Sequence, residues 1–440
     1  MEFGKVYIVG AGPGDPGLIT VKAMEKLKQA DVVVFDRLIN DELLNYCKRD
    51  CEKIFVGKES GYHPIDQERI TNILLQKARL GFNVVRLKGG NPFVFGRGSE
   101  EASALKSADI EYEIIPGITS GLSAPIYSGF PITQRGLITQ CVLITAHEKP
   151  GKPETQVEWE KLAKLKNTSL VIYMGASRIE RISDELIKHG MDPAMPVAII
   201  ENGTLPIQRT ITARLDTIAD EYKKKNMHPP VIIMISPTVL LRDEISWFEK
   251  KPLFNKRVAV IGERAKSTIL NNAIYELGGE ALYMPIRSFN EDIWETVSSA
   301  KEKMDNIELL NINADTNYNL AYNTNPNNLN SEIFQDINKK EIEKAYTLKH
   351  EQENELTNNL NNNGADAFIF TSCGAVQYFF NVFGNNKAVD LLKSSTAFAV
   401  NQHAANTLTK KCSIKAKVLS DGSAKGIYDS LFMSFSSNKE

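Results

Sequence analysis

The strongest constraint on the fold is a regular alternation of short apolar runs with charged amphipathic stretches between residues 5 and 245. The apolar runs are rich in β-branched residues, and most of the stretches between them have the length of a helix. This alternation is typical of an α/β protein with largely parallel strands, because each helix returns the chain to the same edge of its sheet. The runs are KVYIVG, DVVVFD, NVVRLKGG, EYEIIPG, CVLITAH, SLVIYMG, PVAIIENG and PVIIMIS.

Two breaks in the alternation predict domain boundaries. The segment AHEKPGKPETQVEWEKLAK introduces prolines, glycine and polar residues after Ala146, a composition that often joins separate cores. A second polar segment, SWFEKKPLFNKR, precedes a new strand–helix–strand pattern. We therefore predict a first α/β domain at residues 1–146, a second at 147–248 and a C-terminal region at 256–440.

The C-terminal region contains a tract of low complexity. Asparagine occupies nine of the twenty positions from Asn311 to Asn330, and NNLNNNG follows at 358–364. Such polar sequence buries little apolar surface, so we expect a long loop or disordered insertion at about residues 305–363.

Composition and charge argue against several classes of partner. A formal net charge of -2, from 52 basic and 54 acidic residues, provides no field that would recruit nucleic acid or an anionic membrane. The N-terminus lacks the pattern of a signal peptide, and no apolar run approaches the ~20 residues that cross a bilayer. The five cysteines include no CxxC pair and the six histidines show no zinc spacing. We therefore expect a cytoplasmic protein without a metal site.

The sequence VGAGPGDPGL, at residues 9–18, follows the first apolar run. The dinucleotide fingerprint G-x-G-x-x-G would require a glycine where this chain has Asp15, and a carboxylate there would face a pyrophosphate at a helix N-terminus. Asp15 followed by Pro16 is instead a favourable helix start. A cationic or neutral ligand suits this loop better than a phosphate, although a strand-to-helix turn without any ligand would satisfy the same pattern.

Further loops follow other predicted strands of the first domain. They contain the sequences DRLIN, FVGKESGYH, RLKGGNPFVFGRGSEE and IPGITSGLSAPIYSGFPITQRG. Because strand ends on one edge of an α/β sheet form its ligand crevice, we expect these loops and VGAGPGDPGL to converge.

On the order and spacing of these motifs, together with VIYMG and ENGT, residues 3 to about 245 resemble the uroporphyrinogen-III C-methyltransferases of the tetrapyrrole methylase family. The resemblance implies a two-domain methylase fold and S-adenosylmethionine as the methyl donor. It also implies a homodimer that methylates uroporphyrinogen III to precorrin-2, through precorrin-1, in siroheme or cobalamin biosynthesis.

The resemblance further implies which residues contact the cofactor. The sulfonium is a cation without phosphate, so small residues and backbone carbonyls suffice to hold it. Asn91 stands where the family usually has aspartate, and the lost charge predicts weaker cofactor binding; Gln134 stands where histidine is usual. The implied cofactor residues are Pro13, Gly89, Gly90, Asn91, Val94, Thr119, Ser120, Met174 and Gly203.

For catalysis, the resemblance implies that Asp36 accepts a proton from the macrocycle and that Lys58 donates one. From the residues alone, a local ion pair with Arg37 or a helix cap is the favoured interpretation of Asp36, and Lys58 would be an ordinary solvated lysine. The substrate carries many carboxylates, so cationic side chains in or beside the loops are candidate ligands, although each could equally be solvated surface charge. These candidates are Arg37, Lys88, Arg97 and Arg135.

From Lys256 the chain resembles the uroporphyrinogen-III synthases, on the motifs VAVIGERAKSTILNNAIYELGGEALYMPI and DAFIFTSCGAVQYFF. The resemblance implies a flavodoxin-like α/β lobe. That family has two such lobes and shows the Phe-Thr-Ser strand end twice, whereas here it occurs once, at residues 370–372. We expect a shortened or divergent region without synthase activity.

Several alternatives stay open at this point. The chain could be a bifunctional methyltransferase and synthase, or a methyltransferase acting on a later corrinoid. It could also be a nicotinamide or flavin oxidoreductase that uses VGAGPGD as a Rossmann loop, which Asp15 disfavours. The C-terminal region could serve as a docking module for the next protein of the pathway.

Overall fold

A computed structural model describes residues 3–48, 50–57, 67–146, 156–262, 264–285, 360, 364–419 and 424–436. The chain divides into two compact units, Met1–Lys251 and Pro252–Glu440. Lys58 and the predicted asparagine-rich insertion, apart from Leu360, lie outside the described residues. The finer boundaries at residues 146, 248 and 256 stay predictions.

The first sheet contains five strands: β1 Val6–Gly10, β2 Val32–Phe35, β3 Glu52–Phe55, β4 Val84–Lys88 and β5 Tyr112–Ile115. All are parallel, in the order β3-β2-β4-β1-β5. The helices that follow its strands are α1 Val21–Gln29, α2 Gln67–Arg79, α3 Gly98–Ser107 and α4 Ser120–Tyr127. Apolar cores cover both faces of the sheet, so alternate residues of one strand are buried on opposite sides.

The chain enters α1 through two successive caps. Asp15 caps a short 3₁₀ helix, Pro16–Leu18, and its carboxylate accepts from the backbone of Gly17. The hydroxyl of Thr20 then caps α1 itself by accepting from the amide of Ala23. The helix start predicted at Asp15 is therefore confirmed, but it belongs to one 3₁₀ turn that precedes the α-helix.

The second sheet of this unit contains β6 Gln140–Thr145, β7 Thr168–Tyr173, β8 Pro196–Glu201, β9 Arg209–Arg214 and β10 Val231–Ile235. Its order is β6-β7-β10-β8-β9; the neighbours β6 and β7 pair in parallel, and the other three neighbouring pairs are antiparallel. A short loop without a helix joins β8 to β9, which forces an antiparallel pair. The expectation of largely parallel strands therefore holds for the first sheet and does not extend to the second. The helices here are α5 Trp159–Ala163, α6 Ile179–Lys188, α7 Ile218–Lys224 and α8 Arg242–Ile245.

The described residues of the second unit form one parallel sheet: β11 Arg257–Gly262, β12 Glu280–Pro285, β13 Ala367–Phe370, β14 Thr396–Ala399 and β15 Lys417–Val418. The order β12-β11-β13-β14-β15 corresponds to 2-1-3-4-5 within the unit, which is the flavodoxin-like order. The predicted flavodoxin-like lobe is thus confirmed. Its helices are α9 Arg264–Glu276, α10 Cys373–Phe383, α11 Asn385–Lys393, α12 Gln402–Cys412 and α13 Ala424–Ser436.

A cluster of phenylalanines fills one core of the second unit. The ring of Phe379, on α10, lies 5.2 Å from Phe368 and 5.4 Å from Phe370, both on β13, and 4.8 Å from Phe383. All these distances join ring centroids. Since the rings pack on both the helix and the strand, Phe379 holds α10 against the sheet.

We expect Phe379→Ala to lower the free energy of unfolding of the second unit by about 3–5 kcal/mol, because it removes a fully buried ring and leaves a cavity. This change is measured by unfolding the protein in urea and monitoring the hydrogen exchange of peptides from β13 and α10. Phe432→Ala, at an exposed ring of α13, is the matched control and should change stability by less than about 1 kcal/mol. Equal effects of the two substitutions would contradict this account of the core.

Candidate active site at the glycine loops of the first sheet

The loops that follow β1, β4 and β5 are in direct backbone contact. The amide of Gly12 donates to the carbonyl of Gly90 at 3.2 Å, and the amide of Gly90 donates to the carbonyl of Gly12 at 2.7 Å. Both residues have a positive φ, 82° and 67°, which glycine adopts without strain. A Cβ atom on Gly10 would lie 2.7 Å from the Gly90 carbonyl oxygen and would collide with the backbone of Gly117. Glycine at each contact therefore lets the three loops meet.

Asn91 ties two of these loops together. Its Nδ2 donates to the carbonyl of Gly117 at 3.0 Å, and its Oδ1 accepts from the amide of Phe93 at 2.9 Å. An ionised aspartate could accept from Phe93 but could not donate to Gly117. The amide therefore does more than remove a charge: it adds a loop-to-loop contact.

The first glycine loop also contacts the second sheet. The amide of Asp15 donates to Thr204 Oγ1, in the loop after β8, at 3.0 Å. The hydroxyl of Tyr127, at the end of α4, donates to Asp15 Oδ2 at 2.8 Å. Burial, reinforced by the Asp15 carboxylate, raises the pKa of Tyr127, so the hydroxyl keeps its proton and remains a donor.

The start of α4 lies against the end of β7. The hydroxyls of Thr119 and Tyr173 are 2.8 Å apart, and the amide of Gly121 donates to the Tyr173 hydroxyl at 3.0 Å. Burial raises the pKa of Tyr173. Met174 follows directly, with a φ of 55° and an exposed side chain. A Cβ on Gly203 would collide with Ala124, so the loop after β8 also touches α4.

These contacts bring together the elements that carry all nine predicted cofactor residues. Pro13 lies between Gly12 and Gly14, Gly89 to Val94 follow β4, and Thr119 and Ser120 begin α4. Phe95, from the loop after β4, places its ring 5.0 Å from that of Tyr173, the residue before Met174. Sequence reasoning missed Tyr127 and Tyr173, because a lone tyrosine in a helix or strand gives no signal of its partner.

Asp36 lies at the same edge of the sheet, directly after β2. Its Oδ1 accepts from the amide of Leu38, and its Oδ2 accepts from Arg86 Nη2, both at 3.3 Å. A Cβ on Gly89 would lie 3.1 Å from the Cβ of Leu38, so the loops after β2 and β4 are neighbours. The carboxylate is partly exposed, which leaves it open to a ligand.

The four predicted substrate cations do not share one environment. Arg37 is exposed after β2, and Arg135 is exposed in the turn closed by the Gln134–Ile138 bridge. Arg97 occupies the N-cap position of α3 without a side-chain capping hydrogen bond, and it makes two 2.8 Å hydrogen bonds to Glu100 in an exposed pair. Such a pair contributes little to stability and opens readily.

Lys88 departs from the prediction that it faces the substrate. It ends the central strand β4, which is covered on both faces, and its Nζ donates to Glu101 Oε1 at 3.0 Å. Burial lowers the pKa of Lys88, and nearby Arg86 acts in the same direction. Since its ammonium group is paired inside the protein, a direct substrate contact by Lys88 is not part of our proposal.

The sequence analysis did not single out Arg86 and Glu101, which form a buried ion pair near the site. An arginine within an apolar central strand could have signalled a buried partner.

Among the described residues, no cluster of His, Cys, Asp and Glu could hold a metal ion, and no helix there has the length and apolar character needed to cross a bilayer.

Known proteins similar to this chain match its first half. Siroheme synthase 2 of Cronobacter sakazakii is 46% identical over 248 residues, which are 56% of this chain and 53% of the relative. Siroheme synthase of Escherichia fergusonii is 47% identical over 245 residues, which are 56% of this chain and 52% of the relative. The chain thus spans about half the length of the curated relatives it matches.

Solved structures and a family profile match the same part. The native uroporphyrin III C-methyl transferase from Thermus thermophilus is 38% identical, with 54% of this chain and 100% of that chain covered and a TM-score of 0.46. The form of that enzyme complexed with S-adenyl homocysteine is 36% identical. The match covers 54% of this chain and 93% of that chain, with a TM-score of 0.46. The profile of the tetrapyrrole (corrin/porphyrin) methylases matches residues 5–219. Residues 5–219 of the chain thus match the tetrapyrrole methylase family, and this part of it is a methyltransferase.

Proposed function

We propose that the chain transfers methyl groups from S-adenosylmethionine to uroporphyrinogen III and forms precorrin-2 through precorrin-1. The observation that carries this proposal is the meeting of three glycine loops beside a carboxylate, Asp36, at one edge of a parallel sheet. The match of residues 5–219 to the tetrapyrrole methylase family supports the methyl donor and the substrate class. The product would enter siroheme or cobalamin biosynthesis.

The glycine loops suit a sulfonium donor. The glycines let the loops approach one another closely, and a side chain at Gly10 or Gly117 would collide with the neighbouring loop. The Asp15 carboxylate in the first loop is compatible with a cationic ligand and would oppose a pyrophosphate. This electrostatic preference also disfavours the alternative of a nicotinamide or flavin oxidoreductase.

The reaction places two demands on the protein. An electron-rich pyrrole carbon attacks the methyl group in line, so a C–C bond forms, the S–CH₃ bond breaks and S-adenosylhomocysteine leaves. Alignment of the two reactants lowers the barrier most, which is a task for the loops. A proton must then leave the macrocycle, and Asp36 is the group we assign to accept it. Lys58 remains our candidate donor, although it lies outside the described residues.

Cationic side chains would hold the carboxylates of the substrate. Arg37 and Arg135 are exposed, and Arg97 can exchange its exposed partner Glu100 for a substrate carboxylate. A planar guanidinium binds a carboxylate through two parallel hydrogen bonds, which orients the macrocycle as well as attracting it.

For the C-terminal region we propose a divergent synthase-like lobe without synthase activity. The described residues form one flavodoxin-like sheet. The bifunctional alternative is tested by incubating the full chain with hydroxymethylbilane: formation of the type III isomer above the spontaneous background would establish synthase activity and contradict this proposal.

We also propose a homodimer located in the cytoplasm. Several large apolar side chains are exposed on α4 and on the segment after β10, among them Leu122, Ile126, Leu240 and Trp247. Trp247 Nε1 donates to the carbonyl of Ile126 at 3.2 Å, so the two segments adjoin. A second copy of the chain is the partner we assign to this surface.

The assignment of function is tested with labelled S-adenosylmethionine and enzymically generated uroporphyrinogen III. We expect a product that carries two methyl groups, identified by mass spectrometry. Absence of methylated product from a folded protein that binds S-adenosylhomocysteine would reject uroporphyrinogen III and leave a later corrinoid as the acceptor.

We expect Asp36→Ala to reduce kcat by about 10²–10⁴-fold, because no other group is assigned to take the proton. The affinity for S-adenosylhomocysteine, measured by calorimetry, should change less than twofold. Asp50→Ala, which removes an exposed carboxylate before β3, is the control and should leave kcat unchanged. Normal turnover by Asp36→Ala would remove this residue from the mechanism.

We expect Gly117→Ala to weaken S-adenosylhomocysteine binding at least about tenfold, or ~1.4 kcal/mol. The new Cβ would lie 2.8 Å from the Gly10 Cα and would collide with the Gly90 carbonyl, so the loops must separate. Gly190→Ala strains the backbone at a φ of 98° but places no atom within 4 Å of the added Cβ, so it is the control for strain without a loop collision and should leave the Kd unchanged. A Kd for Gly117→Ala equal to that of the wild type would show that the loop contacts do not shape the cofactor site.

A further inference from the structure

A cluster of polar side chains, most of them buried, lies next to Asp36. It consists of Gln67 on α2, Arg86 and Lys88 on β4, and Glu101 on α3, and we call it the Glu101 cluster. Glu101 Oε1 accepts from Gln67 Nε2 at 2.9 Å, from Lys88 Nζ at 3.0 Å and from Arg86 Nε at 3.2 Å. The side chain of Glu101 is 0% exposed, and those of Arg86 and Lys88 are 3% and 6% exposed.

Stability alone does not account for the Glu101 cluster. All three donors converge on Oε1, whereas Oε2 is buried without a hydrogen-bond partner among the described residues. An unsatisfied buried oxygen on a charged group is costly. Apolar replacements of buried ion pairs are often neutral or stabilising. A charged residue retained at this position therefore calls for another role.

The contacts of Arg86 indicate that role. Its Nη1 donates to the carbonyls of Val34 at 3.2 Å and Leu87 at 3.0 Å, while Nε donates to Glu101. Because the guanidinium is planar, fixing Nε and Nη1 also fixes the direction of Nη2. That nitrogen donates to Asp36 Oδ2 at 3.3 Å. Glu101 is thus linked to the Asp36 carboxylate through one rigid group.

The charges of the Glu101 cluster and Asp36 balance. Arg86 and Lys88 contribute two positive charges, and Glu101 and Asp36 contribute two negative charges when all are ionised. If Glu101 lost its charge, the buried cations Arg86 and Lys88 would have Asp36 as the one ionised carboxylate left to balance them. Repulsion between these cations is strong in a buried environment, so the guanidinium would be displaced from its present position.

We propose that Glu101 is a positioning residue for methyl transfer: by holding Arg86 it sets the orientation in which the Asp36 carboxylate accepts the proton. Glu101 itself is enclosed and acts only through Arg86. This inference rests on the role proposed above for Asp36.

The test is Glu101→Gln in the full chain, which keeps the shape of the side chain and removes its charge. We expect kcat per cofactor-binding site to fall about 10–100-fold, the range expected when a reacting group is misplaced by about 1 Å. The KM for uroporphyrinogen III and the Kd for S-adenosylhomocysteine should change less than about threefold. A role in folding alone would instead lower the number of binding sites and leave kcat per site unchanged.

Two further variants sharpen the result. Glu111→Gln makes the same change at a 73% exposed carboxylate, paired with Lys5 at the opposite edge of the sheet, and should match the wild type. The double variant Glu101→Gln/Lys88→Met removes the surplus positive charge and should recover most of the lost kcat. A kcat per site for Glu101→Gln within twofold of the wild type, or no recovery in the double variant, overturns the proposal.

Crystal structures separate this inference from the assignment of function. In Glu101→Gln we expect the Arg86 Nη2–Asp36 Oδ2 distance to increase from 3.3 Å to beyond hydrogen-bonding range. An unchanged distance overturns the inference even if the wild type methylates uroporphyrinogen III. The opposite outcome is also possible: the wild type does not methylate uroporphyrinogen III, but the Arg86–Asp36 distance increases in Glu101→Gln. That outcome contradicts only the proposed function.

Discussion

The reciprocal backbone hydrogen bonds between Gly12 and Gly90 are the contact on which the candidate site depends. They join the loops after two adjacent parallel strands, and Gly10 and Gly117 allow a third loop to lie against them. A side chain at Gly10 or Gly117 would collide with the neighbouring loop, and Gly12 and Gly90 adopt a positive φ that glycine allows without strain. Asn91 reinforces the arrangement with a hydrogen bond to the carbonyl of Gly117.

The second sheet stabilises this crevice from the other side. Gln208 Oε1 accepts from the amide of Thr204 at 2.8 Å, and Gln208 Nε2 donates to Glu249 Oε1 at 2.8 Å. The loop after β8 is therefore held at its base while Thr204 accepts from Asp15. The antiparallel β8–β9 pair makes this possible, because its short connection stays at one edge of the sheet. Two sheets of different topology thus contribute to one site.

Charge inside the first sheet connects the fold to the proposed chemistry. Strand β4 has neighbours on both sides and cores on both faces, so Arg86 and Lys88 must find their partners within the protein. Glu101 supplies the carboxylate for both, and Arg86 reaches the crevice at Asp36. The sequence made Lys88 a candidate ligand for a substrate carboxylate because it lies beside the loop after β4. The partner that buries it is thirteen residues away, on a helix.

The sequence by itself determined the α/β class, the cap at Asp15, the flavodoxin-like lobe and the loops that carry the candidate residues. The α/β class and the cap depend on local periodicity and turn residues, which are written along the chain, whereas the flavodoxin-like lobe was implied by the resemblance of its motifs to the uroporphyrinogen-III synthases. Only the tertiary structure decided the antiparallel strands of the second sheet, the donor role of Asn91 and the burial of Lys88 against Glu101. The apolar pattern of a strand indicates that its faces are buried. The direction of the strand and the ion-pair partners of its side chains depend on contacts between residues that are distant in sequence.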